Sequence, residues 1–93
     1  MPNPALGPLR RAADVRYRLL DGEAVVIRQR AGEVLGLNPV GSRLLELIDG
    51  ARDVAALVDQ LAAEFAADRA TIARDVESFL AELVASGVVE PAG

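Results

Sequence analysis

Among the fourteen carboxylates of this chain, Glu33, Glu46 and Asp49 are the ones that could be imagined as a general acid–base pair, and Ser42 and Ser78 are the hydroxyls to weigh as nucleophiles. Nothing in their spacing brings two of the carboxylates into one pocket, and they read as solvated or capping acids. Neither serine has a base partner, because the chain contains no histidine, and Ser42 falls inside a helical pattern. There is no cysteine, so thiol nucleophiles, zinc–thiolate sites and disulfides are excluded. Gly32, Gly36 and Gly41 have the wrong spacing for a phosphate loop, and no lysine follows them. The expectation is a protein that is not an enzyme, with no catalytic residue, no metal and no cofactor.

Binding is what remains, and charge sorts its classes. The net charge is −4, with residues 1–30 carrying six arginines against three acids and residues 31–93 four arginines against eleven. The helical half is thus acidic. Its last helix, where a DNA-recognition helix would sit, holds Arg69 and Arg74 against Asp68, Asp75, Glu77 and Glu82. Phosphate neutralisation supplies most non-specific DNA affinity, and an acidic helix forfeits it. No nucleic acid is expected as partner, and a winged-helix DNA-binding regulator stays as a minority alternative. No segment has the apolar run of a membrane helix and the N-terminus MPNPALGPLRR is not a signal peptide, so no membrane partner and a cytoplasmic location are expected.

The elements that must position a binding site follow from periodicity. Residues 1–13 read as a flexible N-terminal arm and 14–90 as one domain, with 52% apolar residues enough for a modest core. Val15, Tyr17 and Leu19 alternate with Arg16 and Arg18, the period of a half-buried strand. Asp21-Gly22 is a two-residue hairpin turn leading to a returning strand, Ala24 to Arg30; Ala31-Gly32 turns again into a third strand, Glu33 to Leu37. At Asn38 the pattern becomes helical, with Asn38 as N-cap, Pro39 in the first turn and Gly50 as the stop. Asp53 caps a second helix carrying the stripe Val54, Leu57, Val58, Leu61 and Phe65, and Asp68 caps a third that ends at Gly87. Val88-Val89 reads as an extended tail against the sheet. The fold class is α+β and winged-helix-turn-helix-like: a three-stranded antiparallel meander followed by three α-helices.

The third strand would be an edge, and edges are normally blunted by charge, bulge or proline. Its sequence EVLGL has only Glu33 at one end. Gly36 fits either close approach of another backbone or a bulge. On the third helix the stripe Ile72, Val76, Phe79 and Leu83 is expected in the core, with Leu80 and Val84 along one edge and Asp75 and Glu82 along the other. An extended peptide added beside the third strand, with the groove lined by one of those edges, is the expectation.

The runs LNPVGSRLLELIDG, DVAALVDQLAAEF and DVESFLAELVASGVV, preceded by a strand ending G-x-V-x-G-L-N, resemble the PqqD-like family from Val15 to Val89. These are precursor-peptide recognition elements of pathways that modify ribosomally made peptides. The resemblance implies a non-catalytic module in which the leader segment of a precursor peptide adds beside the third strand, in the groove formed with the third helix. The implied peptide-binding residues are Glu33, Val34, Leu35, Gly36, Leu37, Asp75, Val76, Phe79, Leu80 and Leu83. With no enzyme fused, it would act in trans on behalf of a separate maturation enzyme, a leader peptidase or a radical-SAM enzyme. The LNPVG junction and the size are similar to stand-alone versions serving lasso peptides. Versions serving pyrroloquinoline quinone synthesis have an aromatic- and glutamine-rich first strand where this chain has VRYRLLDGEAV, and that PqqD-type chaperone role is the alternative.

Overall fold

The computed structural model describes residues 7–92. The chain runs β1 (Leu9–Arg11), β2 (Val15–Leu20), β3 (Glu23–Arg28), β4 (Glu33–Gly36), α1 (Pro39–Leu47), α2 (Val54–Glu64), α3 (Arg69–Ala85) and β5 (Val89–Pro91). The antiparallel meander β2-β3-β4 followed by three helices is the expected α+β arrangement. It is winged-helix-like only in a loose sense, with the meander ahead of the helices in the chain.

Asp21 and Gly22 both have positive φ, +53° and +80°, as a type I′ turn requires, and Leu20 pairs with Glu23 across it. Alternation then gives the sheet two unlike faces. Ala24 and Val26 of β3 are buried, whereas Ile27 is exposed. The buried side packs on α1, whose first turn is capped as expected: Asn38 Oδ1 accepts from the Gly41 N–H at 2.8 Å, with Pro39 at the start. Asp53 and Asp68 cap α2 and α3 in the same way, accepting from Ala56 and Thr71.

One buried hydroxyl joins sheet to helix. The last rung between β3 and β4 is half formed by backbone, the Leu37 N–H donating to the Ala24 carbonyl at 2.9 Å. The other half is made through Ser42. Its Oγ accepts from the Ala24 N–H at 2.6 Å and donates to the Asn38 carbonyl at 2.7 Å. Ser42 is 1% exposed, so neither Ala24 nor the hydroxyl has water to turn to.

The first strand departs from expectation. The arm expected over residues 1–13 does not describe residues 9–11, which form β1; residues 1–6 lie outside the described part of the chain. β1 pairs antiparallel with β5 in a separate two-stranded sheet, and Leu9 is 1% exposed in the core. The Gly50 N–H donates to the Leu9 carbonyl at 2.8 Å, and Arg11 Nη1 reaches the Leu45 and Ile48 carbonyls at the end of α1. Val88-Val89 accordingly leads into that small sheet instead of lying against the meander. Gly50, with φ +86°, lies beyond the end of α1; Ile48 is the C-cap. At α3 the stop at Gly87 holds: φ is +77°, and Val88 and Gly87 donate to the Leu83 and Val84 carbonyls, closing a Schellman motif.

Two expected outcomes test this frame. Ser42→Ala leaves the Ala24 N–H buried without a partner and should lower stability by about 1–3 kcal/mol in urea unfolding; an unchanged midpoint would remove the hydroxyl from its role. The second concerns Arg43, whose Nε and Nη2 donate to the two carboxylate oxygens of Glu64 at 2.7 and 2.9 Å, tying α1 to α2. That contact, with a further bond from Gln60, pulls the Glu64 carboxyl from 4.5 down to about 2. A carboxyl depressed in the folded state adds stability above its unfolded pKa and loses it as pH falls through its folded one. Stability should therefore decline from pH 4.5 towards 2, and Glu64→Gln should flatten that part of an acid titration followed by circular dichroism.

Candidate functional site

β4 ends the meander, with no strand on its far side among the described residues. In an antiparallel ladder, residues alternate between bonding to the neighbour and facing away. Leu37 bonds to Ala24, so Leu35 and Glu33 face β3 in the same phase. The N–H and C=O groups of Val34 and Gly36 therefore point to the open edge. Pairing runs one to one through Val25↔Gly36, which excludes a bulge. Gly36 has ordinary extended φ and open space where a Cβ would stand, so nothing in the fold demands glycine there.

The same phase sorts the side chains of β4. Leu35 lies opposite the buried Val26 and is half-buried on the helical side, as is Leu37 beyond it. Val34 lies opposite Ile27 on the outer face and is 66% exposed. Val34 can thus offer an incoming strand its backbone, while its side chain projects away from the helices.

Beyond β4, between the start of α1 and α3, is a cleft of about 200 Å³ lined by Asn38, Val40, Asp75, Ser78, Phe79 and Glu82. Its shape depends on Gly41. A Cβ at Gly41 would stand 3.0 Å from Phe79 Cε1 and 3.3 Å from Asn38 Oδ1, so glycine lets α1 meet the ring closely. Phe79 packs partly against the core and partly faces the cleft. Asp75 and Glu82 flank it one turn to either side, and neither has an ion-pair partner among the described residues.

Of the residues expected at the site, the structure gathers the β4 edge with Leu35 and Leu37, and places Asp75 and Phe79 in the neighbouring cleft. Val76, Leu80 and Leu83 are not on its surface. They are 0%, 2% and 3% exposed, within the core, because α3 packs through Ile72, Val76, Leu80 and Leu83. The acidic edge of α3 therefore lines the cleft, and Leu80 lies beneath. Asn38, Val40, Ser78 and Glu82 complete the lining. The signal for Ser78 and Glu82 was their spacing of three and seven from Asp75 on one helical face. Among the described residues, no group of three or more acids could hold a metal ion, and no helix is long and apolar enough to cross a membrane.

A PqqA binding protein of Rhodopseudomonas palustris (strain TIE-1) is 46% identical over 59 residues, which are 63% of this chain and 58% of that protein. The match thus spans less than two thirds of that relative's length. A PqqA binding protein of Gluconobacter oxydans (strain 621H) is 39% identical over 72 residues, 77% of this chain and 72% of that one. Among solved structures, TbiB1 in complex with the TbiA(beta) leader peptide is 31% identical with a TM-score of 0.78, covering 87% of this chain and 94% of that chain. A lasso peptide synthetase B1 complexed with its leader peptide shares the fold, with 24% identity, a TM-score of 0.75, and coverage of 89% and 98%. The family described as coenzyme PQQ synthesis protein D (PqqD) matches residues 23–89, from the start of β3 to the first residue of β5. With β3, β4, the α1 junction and the long third helix all inside that match, which takes in most of the chain, the chain belongs to the PqqD family.

Proposed function

We propose that this protein captures the leader segment of a ribosomally made precursor peptide as a fourth strand on β4 and delivers it to a separate maturation enzyme, without itself catalysing a reaction. The observation that carries the reading is the open edge: two residues, Val34 and Gly36, turn their backbone groups outward beside a cleft floored by Phe79. Main-chain pairing would supply a sequence-independent part of the affinity. Leu35, Leu37 and Phe79 would receive apolar leader side chains, and Asp75 and Glu82 a basic or hydrogen-bonding one. TbiB1, with the same fold at 31% identity, is held in complex with a leader peptide, which supports the assignment.

Lasso-peptide biosynthesis is the pathway we favour, with a leader peptidase as the receiving enzyme and the cytoplasm as the place of action. The identity of 46% to a PqqA binding protein favours a second reading, in which the peptide is a PqqA-like precursor and the receiving enzyme a radical-SAM protein.

The test uses a proline. Gly36→Pro removes an N–H that the fold does not use, at an edge where proline is tolerated. The variant should keep native circular dichroism and bind the cognate leader at least tenfold more weakly in isothermal titration calorimetry. Binding equal to wild type would place the peptide elsewhere. Titrating the lasso-type and PqqA-type precursors in parallel decides between the two pathways, and amide shifts in labelled protein should fall together on β4 and on the Asp75–Glu82 edge of α3.

A regulator would require tight duplex binding that falls steeply with salt. Gel retardation should show no retained duplex at physiological salt; sequence-specific retention would promote the regulator in its place.

A further inference from the structure

The outer face of the meander, opposite the helices, carries an ordered gradient of chemistry. Register sets it out in two rows: Arg16, Ile27 and Val34 across the three strands, and beside them Arg18, Val25 and Gly36. Cations line the β2 side, and aliphatic side chains the middle and the β4 side. Ile27 is 42% and Val34 66% exposed, with Leu20 at 56% further along β2. No element of the described chain covers this face, since all three helices lie on the other side. Arg16 Nη1 donates only to nearby carbonyls, those of Ala13 and Val15, and neither Arg16 nor Arg18 has a carboxylate partner among the described residues. Glu23, opposite Leu20 in the next row, is the one acid that the three strands place on this face.

We infer that this face is where the maturation enzyme docks, and that the enzyme's matching surface is an apolar patch bordered by carboxylates. The inference rests on the reading of this chain as a delivery module. Aliphatic centre and arginine rim are the composition of a protein interface, with arginine favoured at its energetic centres and lysine disfavoured. Charge complementarity selects among occupants. A second copy packed face to face would bring one arginine-bearing patch against another, and the rest of this chain's surface is acidic. Nucleic acid would want cations where Ile27, Val34 and Val25 stand, on a protein whose net charge is −4. A carboxylate-ringed apolar surface satisfies both halves of the gradient. The face also adjoins the β4 edge, so an enzyme seated there stands beside the bound leader without competing for its groove.

The experiment separates delivery from capture. The wild type, an Arg16→Glu/Arg18→Glu double variant and Ile27→Asn are each titrated with a purified leader peptidase and a purified radical-SAM enzyme from the same organism, and separately with the leader. All three substituted residues are solvent-facing, and each variant is first checked by circular dichroism and melting. Both variants should bind leader as wild type does and bind enzyme at least tenfold more weakly. The arginine variant should lose that affinity mainly through a slower association that added salt no longer slows further. Enzyme binding at wild-type strength by both variants would overturn the inference, as would retention of this face by anionic vesicles or self-association lost on Ile27→Asn. Loss of leader binding in the wild type, with enzyme binding still sensitive to the two variants, would instead sink the capture reading and leave the docking face standing.

Discussion

The hydroxyl of Ser42 holds the structure at its most constrained point. A β-strand that must stop and turn into a helix leaves its last ladder rung incomplete, and here the orphaned group is the Ala24 N–H on β3. Water cannot reach it, and the helix that follows has no spare backbone acceptor to offer. Ser42, four residues into the new helix, inserts its oxygen into that rung while its proton goes to the Asn38 carbonyl. One side chain thereby ties the central strand, the end of the edge strand and the first turn of α1 into a fixed geometry. Everything at the candidate site is measured from this junction. It sets how far β4 extends, where Asn38 stands, and which way α1 leaves the sheet.

From that fixed exit, Gly41 and Phe79 settle the rest. Glycine one residue before Ser42 lets α3 come close enough for the Phe79 ring to rest on α1, and the ring packs partly on the core while it lines the cleft. Arg28 acts at the other end of α3. Its guanidinium donates to the Ser86 carbonyl at the helix C-terminus and lies 3.6 Å from both Asp14 and Glu33. A cation there complements the negative end of the helix and links β4 to α3 across the base of the meander. The groove is held open by contacts at both its ends, and its walls need not touch.

Much of this was legible in the sequence wherever the information is local. The caps Asn38, Asp53 and Asp68, the Asp21-Gly22 turn and the Gly87 stop are set by residues within a few positions of one another, and all hold. The open edge at Glu33 to Leu37 could be read because the chain order of a meander is its spatial order. What failed to show was non-local. Leu9–Arg11 looked like an arm because its partner is far along the chain, with Arg10 paired to Glu90. On α3 a helical wheel gave the apolar stripe but not the direction of the sheet, so the burial of Leu80 and the half-exposure of Phe79 were exchanged. The parity of β4 was likewise unreadable: Val34, Leu35 and Leu37 are all aliphatic, and only pairing with β3 says which of them faces the helices.

The shortness of the free edge has a kinetic meaning. Val34 and Gly36 offer four outward backbone groups, and at about 1 kcal/mol net for each hydrogen bond, strand addition alone contributes on the order of 4 kcal/mol, a millimolar grip. A peptide held only by its backbone would leave almost as soon as it arrived. Retention must come from side chains seated against Leu35, Leu37 and Phe79, so a mismatched sequence escapes quickly while a matched one lingers. A longer edge would hold every extended chain alike and release none of them. On the proposed reading, two residues of exposed ladder would keep the module able to let go, which a carrier that works repeatedly has to do.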